Sequence, residues 1–152
     1  MASPEPSSPR EVPLERSVFA RFVAATTRWK DHDPYGHLNN VVYYELFDAA
    51  VNELLIHAGL LDPAASEVIG LVVDSNCKFF SSLAFPDSVE VGVAVEHLGR
   101  SSVRYVLAVF KAGAPLASAQ GRYTHVYVER AGGRPTPIPD GHRRLMQSLV
   151  RF

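Results

Sequence analysis

The densest run of polar, chemically useful side chains is Asp31-His32-Asp33-Pro34-Tyr35-Gly36-His37-Leu38-Asn39-Asn40. Pro34 and Gly36 break regular structure, so the run reads as a loop. It stands directly before an apolar segment, Val41 to Ala58, that contains neither glycine nor proline. Asn39 or Asn40 suits the N-cap of a helix there. Two features therefore coincide. A carboxylate sits near a helix start, and a helix start presents amide donors without partners of their own. Such amides hold a developing oxyanion. A carboxylate beside them attacks a carbonyl or activates water. The pair suits acyl transfer or hydrolysis.

Each of these residues also has a plainer reading. Asp33 could cap a turn before Gly36. His37 could be a structural hydrogen-bonding histidine. Asp31 reads as a surface or turn residue. The spacing of Asp31, His32, Asp33 and His37 matches no metal motif such as His-Glu-x-x-His, so no metal is expected. Glu45 lies on the apolar segment and must be solvated, paired or functional. With Asp48 and Asn52 it forms a polar stripe at steps of three and four residues. Tyr43 and Tyr44 suit a core or a pocket wall. Cys77, in an apolar strand, reads as a small buried residue rather than a nucleophile. No Gly-x-Ser-x-Gly elbow, Gly-x-Gly-x-x-Gly or Walker pattern occurs. Serine-hydrolase and phosphate-donor chemistry therefore lack a sequence basis.

The elements that must position the loop follow from patterning. Ser17 to Trp29 is β-branched and aromatic with rough alternation, a strand. The helix over Val41–Ala58 is apolar round most of its surface, so it is buried over most of it. Gly59 suits its C-terminal cap. Ile69–Phe80, Ser88–Leu98, Ser102–Lys111 and Leu116–Glu129 are strand-like. Their short breaks predict antiparallel hairpins. Arg130–Gly141 reads as a loop and His142–Val150 as a short terminal helix. One helix cannot cover both faces of a five-stranded sheet. The sheet should curl round the helix, and its other face or edge should meet another subunit. Residues 1–16, with Pro4, Pro6, Pro9 and Pro13, read as a disordered arm. Residues 17–152 form one domain.

Composition narrows the classes. The chain has 152 residues, 47% hydrophobic and 20% charged, which fits one globular domain. A net charge of −1 gives no pull toward nucleic acid or an anionic membrane. One cysteine excludes an intrachain disulfide. No apolar run approaches the ~20 residues needed to span a bilayer. Met1 to Glu15 lacks the apolar stretch of a secretory signal. A cytoplasmic protein is the expectation.

Asp33-Pro34-Tyr35-Gly36-His37-Leu38-Asn39-Asn40, with Tyr43 and Glu45 following, resembles the signature of hotdog-fold acyl-CoA thioesterases of the 4-hydroxybenzoyl-CoA thioesterase-like superfamily. The resemblance extends over roughly residues 17–150 in the order of elements. Val72-Val73-Asp74-Ser75, Phe79-Phe80 and Gly99-Arg100-Ser101-Ser102 also look familial. It implies an α+β hotdog fold, a five-stranded curved antiparallel sheet round one long central helix. It also implies a homodimer or dimer of dimers with the active site at the subunit interface. Asp33 would be nucleophile or general base, and the Asn40 amide would bind the thioester oxygen. His37 and Asn39 would shape the site. Tyr35, Asn39, Tyr43, Glu45, Phe80, Arg100 and Ser101 would contact substrate; Arg100 suits the coenzyme A phosphates because its Gly-Arg-Ser-Ser turn sets amide and hydroxyl donors beside it. No metal or organic cofactor is implied, since coenzyme A arrives as part of the substrate. Two departures stand. Tyr35 occupies a place where the acyl-carrier-protein branch has asparagine. Some branches carry the working carboxylate on the helix, where Glu45 or Asp48 would fill the role. An enoyl-CoA hydratase or dehydratase, a non-catalytic acyl-CoA or acyl-carrier binding module, and a polyketide-releasing thioesterase remain alternatives.

Overall fold

The computed structural model describes residues 9–152. In chain order they form strand β1 (Arg21–Thr26), helix α1 (Asn40–His57), strands β2 (Val68–Ser75), β3 (Lys78–Phe79), β4 (Ser88–Leu98), β5 (Ser102–Lys111) and β6 (Ala119–Glu129), and helix α2 (Asp140–Ser148). Single 3-10 turns at Arg16–Val18 and Trp29–Asp31 flank β1 and shorten it from the expected Ser17–Trp29. The strands run β1-β4-β5-β6-β2, antiparallel at each pairing. The path has the expected five strands, and a sixth short strand joins the same sheet. The expected strand Ile69–Phe80 is divided, and its end, β3, pairs with the start of β6.

The division has a steric cause. Between β2 and β3 the chain crosses directly over Gly121, where a Cβ would stand 1.8 Å from the Asn76 carbonyl oxygen. Asn76 seals the crossing. Its amide donates to the Arg122 carbonyl at 3.0 Å, and its Oδ1 accepts from the Arg122 amide at 3.2 Å. Only glycine fits beneath. Gly121→Ala is expected to cost at least about 2 kcal/mol of unfolding free energy, read by urea denaturation. An unchanged midpoint would refute the close crossing.

Helix α1 buries Val42, Tyr43, Phe47, Ala50, Val51, Leu54 and Leu55 against the concave face of the sheet. Each larger side chain among them contributes about 1.5–3 kcal/mol through the area it removes from water. The burial is less complete than expected, because Val41, Tyr44 and Ile56 remain exposed on the other side.

On the convex face a second apolar cluster joins Phe19, Ala94, Val106, Ala108, Phe110 and Ala117 with Leu14, Val18 and Phe22. The chain covers this face with its own N-terminal segment, which corrects the expectation of a disordered arm for residues 9–16. The Leu14 amide donates to Gln120 Oε1 at 2.7 Å, and the Gln120 side-chain amide donates to Glu11 Oε1 and the Val12 carbonyl, each at 3.0 Å. Prolines suggested that nothing repays ordering there, but Leu14 and Phe19 bury apolar surface that only folding creates. Residues 1–8 lie outside the described residues.

Candidate active site

The loop between β1 and α1 is built from both ends. At its start, Asp31 closes a 3-10 turn and is only 4% exposed, not the surface residue expected. Its carboxylate accepts from the Arg28 amide at 2.9 Å and from Arg28 Nε at 3.0 Å. A buried carboxylate needs that partner. At the other end the Asn39 amide donates to the Asp31 carbonyl at 2.8 Å, so the loop closes on itself. The Leu38 amide donates to the Leu83 carbonyl, and His32 Nε2 accepts from the Phe85 amide, both at 2.7 Å. These bonds fasten the loop to the segment that precedes β4.

Inside this ring Asp33 forms a tight turn. Its amide donates to the His37 carbonyl at 2.7 Å, and Gly36 turns the chain at φ +77°, which favours glycine. Asp33 Oδ1 accepts from the amides of Tyr35 at 2.8 Å and His37 at 3.0 Å. The plain reading of Asp33 as a turn cap is therefore physically real. Both bonds fall on one oxygen, so Oδ2 is left for other work. The His37 amide, then the Tyr35 amide and the nearby His37 and His32 rings, hold the carboxyl below its ordinary value. Asp33 is thus ionised at neutral pH.

Asn39 is the N-cap of α1, and its Oδ1 accepts from the Val41 amide at 3.2 Å. Asn40 is the first helical residue. Its amide has no acceptor in the chain among the described residues. The cap therefore satisfies the second donor and leaves the first free.

A cavity of about 570 Å³ opens at this place, within the range of small-molecule sites. Asp33, His37, Asn39, Asn40, Tyr43 and Phe80 all line it. Six of the expected residues, far apart in kind, are thus brought together. Leu38, Phe79, Ser81 and Ser82 complete the wall. Tyr43 is buried and meets the Phe79 ring edge-on at 5.0 Å between centroids. Desolvation pushes its phenol up to about 12, so it is a neutral wall and not a base. Ser81 and Ser82 escaped sequence reasoning. They lie between β3 and β4, and nothing local announces that this segment folds back over the helix start.

The other expected residues lie elsewhere. Tyr35 is 83% exposed and does not line the cavity. Both oxygens of Glu45 accept from Arg28 Nη2 at 3.0 Å, so Glu45 is a paired surface carboxylate. Asp48 accepts from the Tyr123 hydroxyl and from Asn52 Nδ2. Arg100 and Ser101 sit in the β4–β5 turn. The start of β4, Ser88, pairs with Thr26 beside the loop, so that turn is a full strand away, about 35 Å of extended chain. Within one chain they do not reach Asp33. The backbone carbonyls of Gly99 and Arg100 accept from Arg143 instead, tying the turn to α2. Cys77 is only half-buried, at the crossing between β2 and β3, and desolvation raises its thiol to about 12. A thiol so raised is a poor nucleophile.

Comparison with known proteins places the chain in a family. Residues 27–146 match the Thioesterase-like superfamily. The PA5185 protein of Pseudomonas aeruginosa strain PAO1 is 48% identical, with a TM-score of 0.89 over 93% of this chain and 98% of that one. A thioesterase from Thermus thermophilus, solved with coenzyme A and zinc, is 30% identical, with a TM-score of 0.70 over 86% of this chain and 95% of that one. Slr0204 of Synechocystis, a 1,4-dihydroxy-2-naphthoyl-CoA thioesterase, has a TM-score of 0.75 over 84% of this chain and 96% of that one. At 14% identity it speaks to fold alone. No curated protein matches the chain. With a superfamily match over most of its length, and a curled antiparallel sheet round α1 like that of its structural relatives, the chain belongs to the thioesterase-like superfamily and has the hotdog fold.

Proposed function

We propose that the chain is an acyl-CoA thioesterase, hydrolysing an acyl-CoA to a carboxylic acid and coenzyme A. One observation carries the reading. An ionised carboxylate with one oxygen fixed and one free shares a cavity with the unpaired first amide of a helix. The thioester carbonyl would lie over the helix start, its oxygen accepting from the Asn40 amide as negative charge develops. Asp33 Oδ2 would attack the carbonyl carbon, or take a proton from a water that does so. The carbon–sulfur bond breaks and coenzyme A leaves as thiolate. In the first route water then cleaves the acyl-Asp33 anhydride. A thiolate leaves readily, so no strong general acid is needed. Neither route calls for a metal or an organic cofactor. A same-fold hydratase would pair the His37 imidazole with Asp33 for proton transfer. His37 bonds to Asp33 through its backbone amide instead.

A second copy of the chain would complete the site. The free edge of β2 exposes Leu71, Val72 and Val73, and β3, which follows β2 along the same neighbour β6, lines the cavity with Phe79. Two copies pairing along β2 would wall the acyl chain.

The test is thiol release from a panel of acyl-CoAs, short aliphatic to long-chain and aromatic. Turnover on one class is expected. Tight binding with no turnover on any of them would make the chain a binding module. The pH profile adds a signed expectation. Activity needs Asp33 ionised, and its carboxyl is held below the ordinary 3.8. kcat/KM should therefore stay level down the mildly acidic range and fall only as pH drops through that lowered value. An acid limb centred well above 3.8 in a protein still folded by circular dichroism would assign the limb to another group.

A further inference from the structure

We infer that Arg28 is a positioning residue, whose guanidinium clamps the start of the Asp33 loop to the second turn of α1. The inference rests on the thioesterase reading above. Arg28 stands just past β1 and bonds in two directions. Nε donates to both oxygens of Asp31, at 3.0 and 3.2 Å. Nη2 donates to both oxygens of Glu45, each at 3.0 Å. A planar guanidinium serves two carboxylates at once, which an ammonium on a flexible stem cannot do at fixed geometry.

The consequence follows from connectivity. Asp31 begins the loop, and its carbonyl accepts from the amide of Asn39, the helix cap. Asp33, His37 and the cap thus lie between two fastenings, one backbone bond and one side-chain bridge. Asp33 sits on the loop, while the Asn40 amide sits on the helix. Chemistry needs the two at a set separation, and the Glu45–Arg28–Asp31 bridge is the side-chain link between their two supports. Arg28 is 45% and Glu45 59% exposed, so the outer half of the bridge contributes little to stability. A displacement near 1 Å, by contrast, costs about a hundredfold in rate. The bridge therefore acts on turnover more than on folding.

The test uses substitutions at the exposed end, because Arg28→Met would strand the buried Asp31 carboxylate and endanger folding. Glu45→Leu is expected to lower kcat about tenfold, with KM and melting temperature close to wild type. Glu45→Gln keeps an oxygen for Arg28 to bond and should restore kcat to within about threefold of wild type. Arg28→Lys should behave like Glu45→Leu, and the acid limb of the pH profile should stay in place in all three. A readout independent of turnover is hydrogen exchange at the Tyr35 and His37 amides, which Asp33 Oδ1 accepts from. Glu45→Leu should speed their exchange about tenfold. Wild-type kcat or unchanged exchange in Glu45→Leu would overturn the clamp. So would a Glu45→Gln as impaired as Glu45→Leu with its acid limb gone, because Glu45 would then be the reacting carboxylate. If the wild type releases no thiol, the thioesterase reading falls, and amide exchange still decides the clamp.

Discussion

Asp33→Asn is expected to lower kcat for thiol release by about a hundredfold or more, with folding kept. The substitution is unusually clean here. The asparagine Oδ1 can still accept from the Tyr35 and His37 amides, so the turn keeps its shape. What changes is the free side of the group, where an anionic oxygen becomes a neutral amide nitrogen. That nitrogen can neither attack a carbonyl nor accept a proton from water. A drop in kcat with an unchanged melting curve therefore reads chemistry and not structure. Turnover that survives would move the carboxylate role to α1, where Glu45 and Asp48 are each already bonded, to Arg28 and to Tyr123.

The loop and helix start were legible in sequence because their determinants are local. Asn39 caps through a residue two positions on, and Asp33 bonds to amides two and four positions on. Spacing alone carries such contacts. The helix over Val41–Ala58 and the hairpin strands were legible for the same reason, apart from shifts of up to three residues at their ends. What escaped was set by tertiary placement. Arg28 meets Glu45 17 positions away, and Gln120 holds Glu11 from 109 positions away. No local pattern predicts either. The turn at Arg100 had the right donors for an anion, but strand register puts it at the far end of β4 from the cavity. The polarity of a turn is written in its residues. Its position relative to a site is written in the lengths and pairing of the strands before it.

Val73→Asp is expected to convert the proposed dimer to a monomer by light scattering and to lower kcat/KM at least tenfold or so. The cause lies at the sheet edge. β2 lies at the end of the strand order and reads Val68-Ile69-Gly70-Leu71-Val72-Val73-Asp74-Ser75. It has no lysine and no proline, the usual guards of an edge that must stay unpaired. Leu71, Val72 and Val73 stand exposed along it, Val73 at 60%. Its guards, Asp74 and the irregularity beside it, fall at its C-terminal end and leave residues 68–72 an apolar edge, a surface that natural sequences cover. The exposed Tyr44, on the side of α1 turned away from the sheet, needs cover too. Val73 falls at the shift in register between Val72 and Asp74, so its side chain contributes little to the β2–β6 ladder. A carboxylate there would be well solvated in the monomer. In a two-fold interface the charge enters twice and loses its water. Val12→Asp, more exposed still at 70% but on the N-terminal segment, serves as the control and should change neither mass nor rate. A Val73→Asp monomer with full activity would show that one chain holds the whole site. A dimer that persists would place the contact on another face.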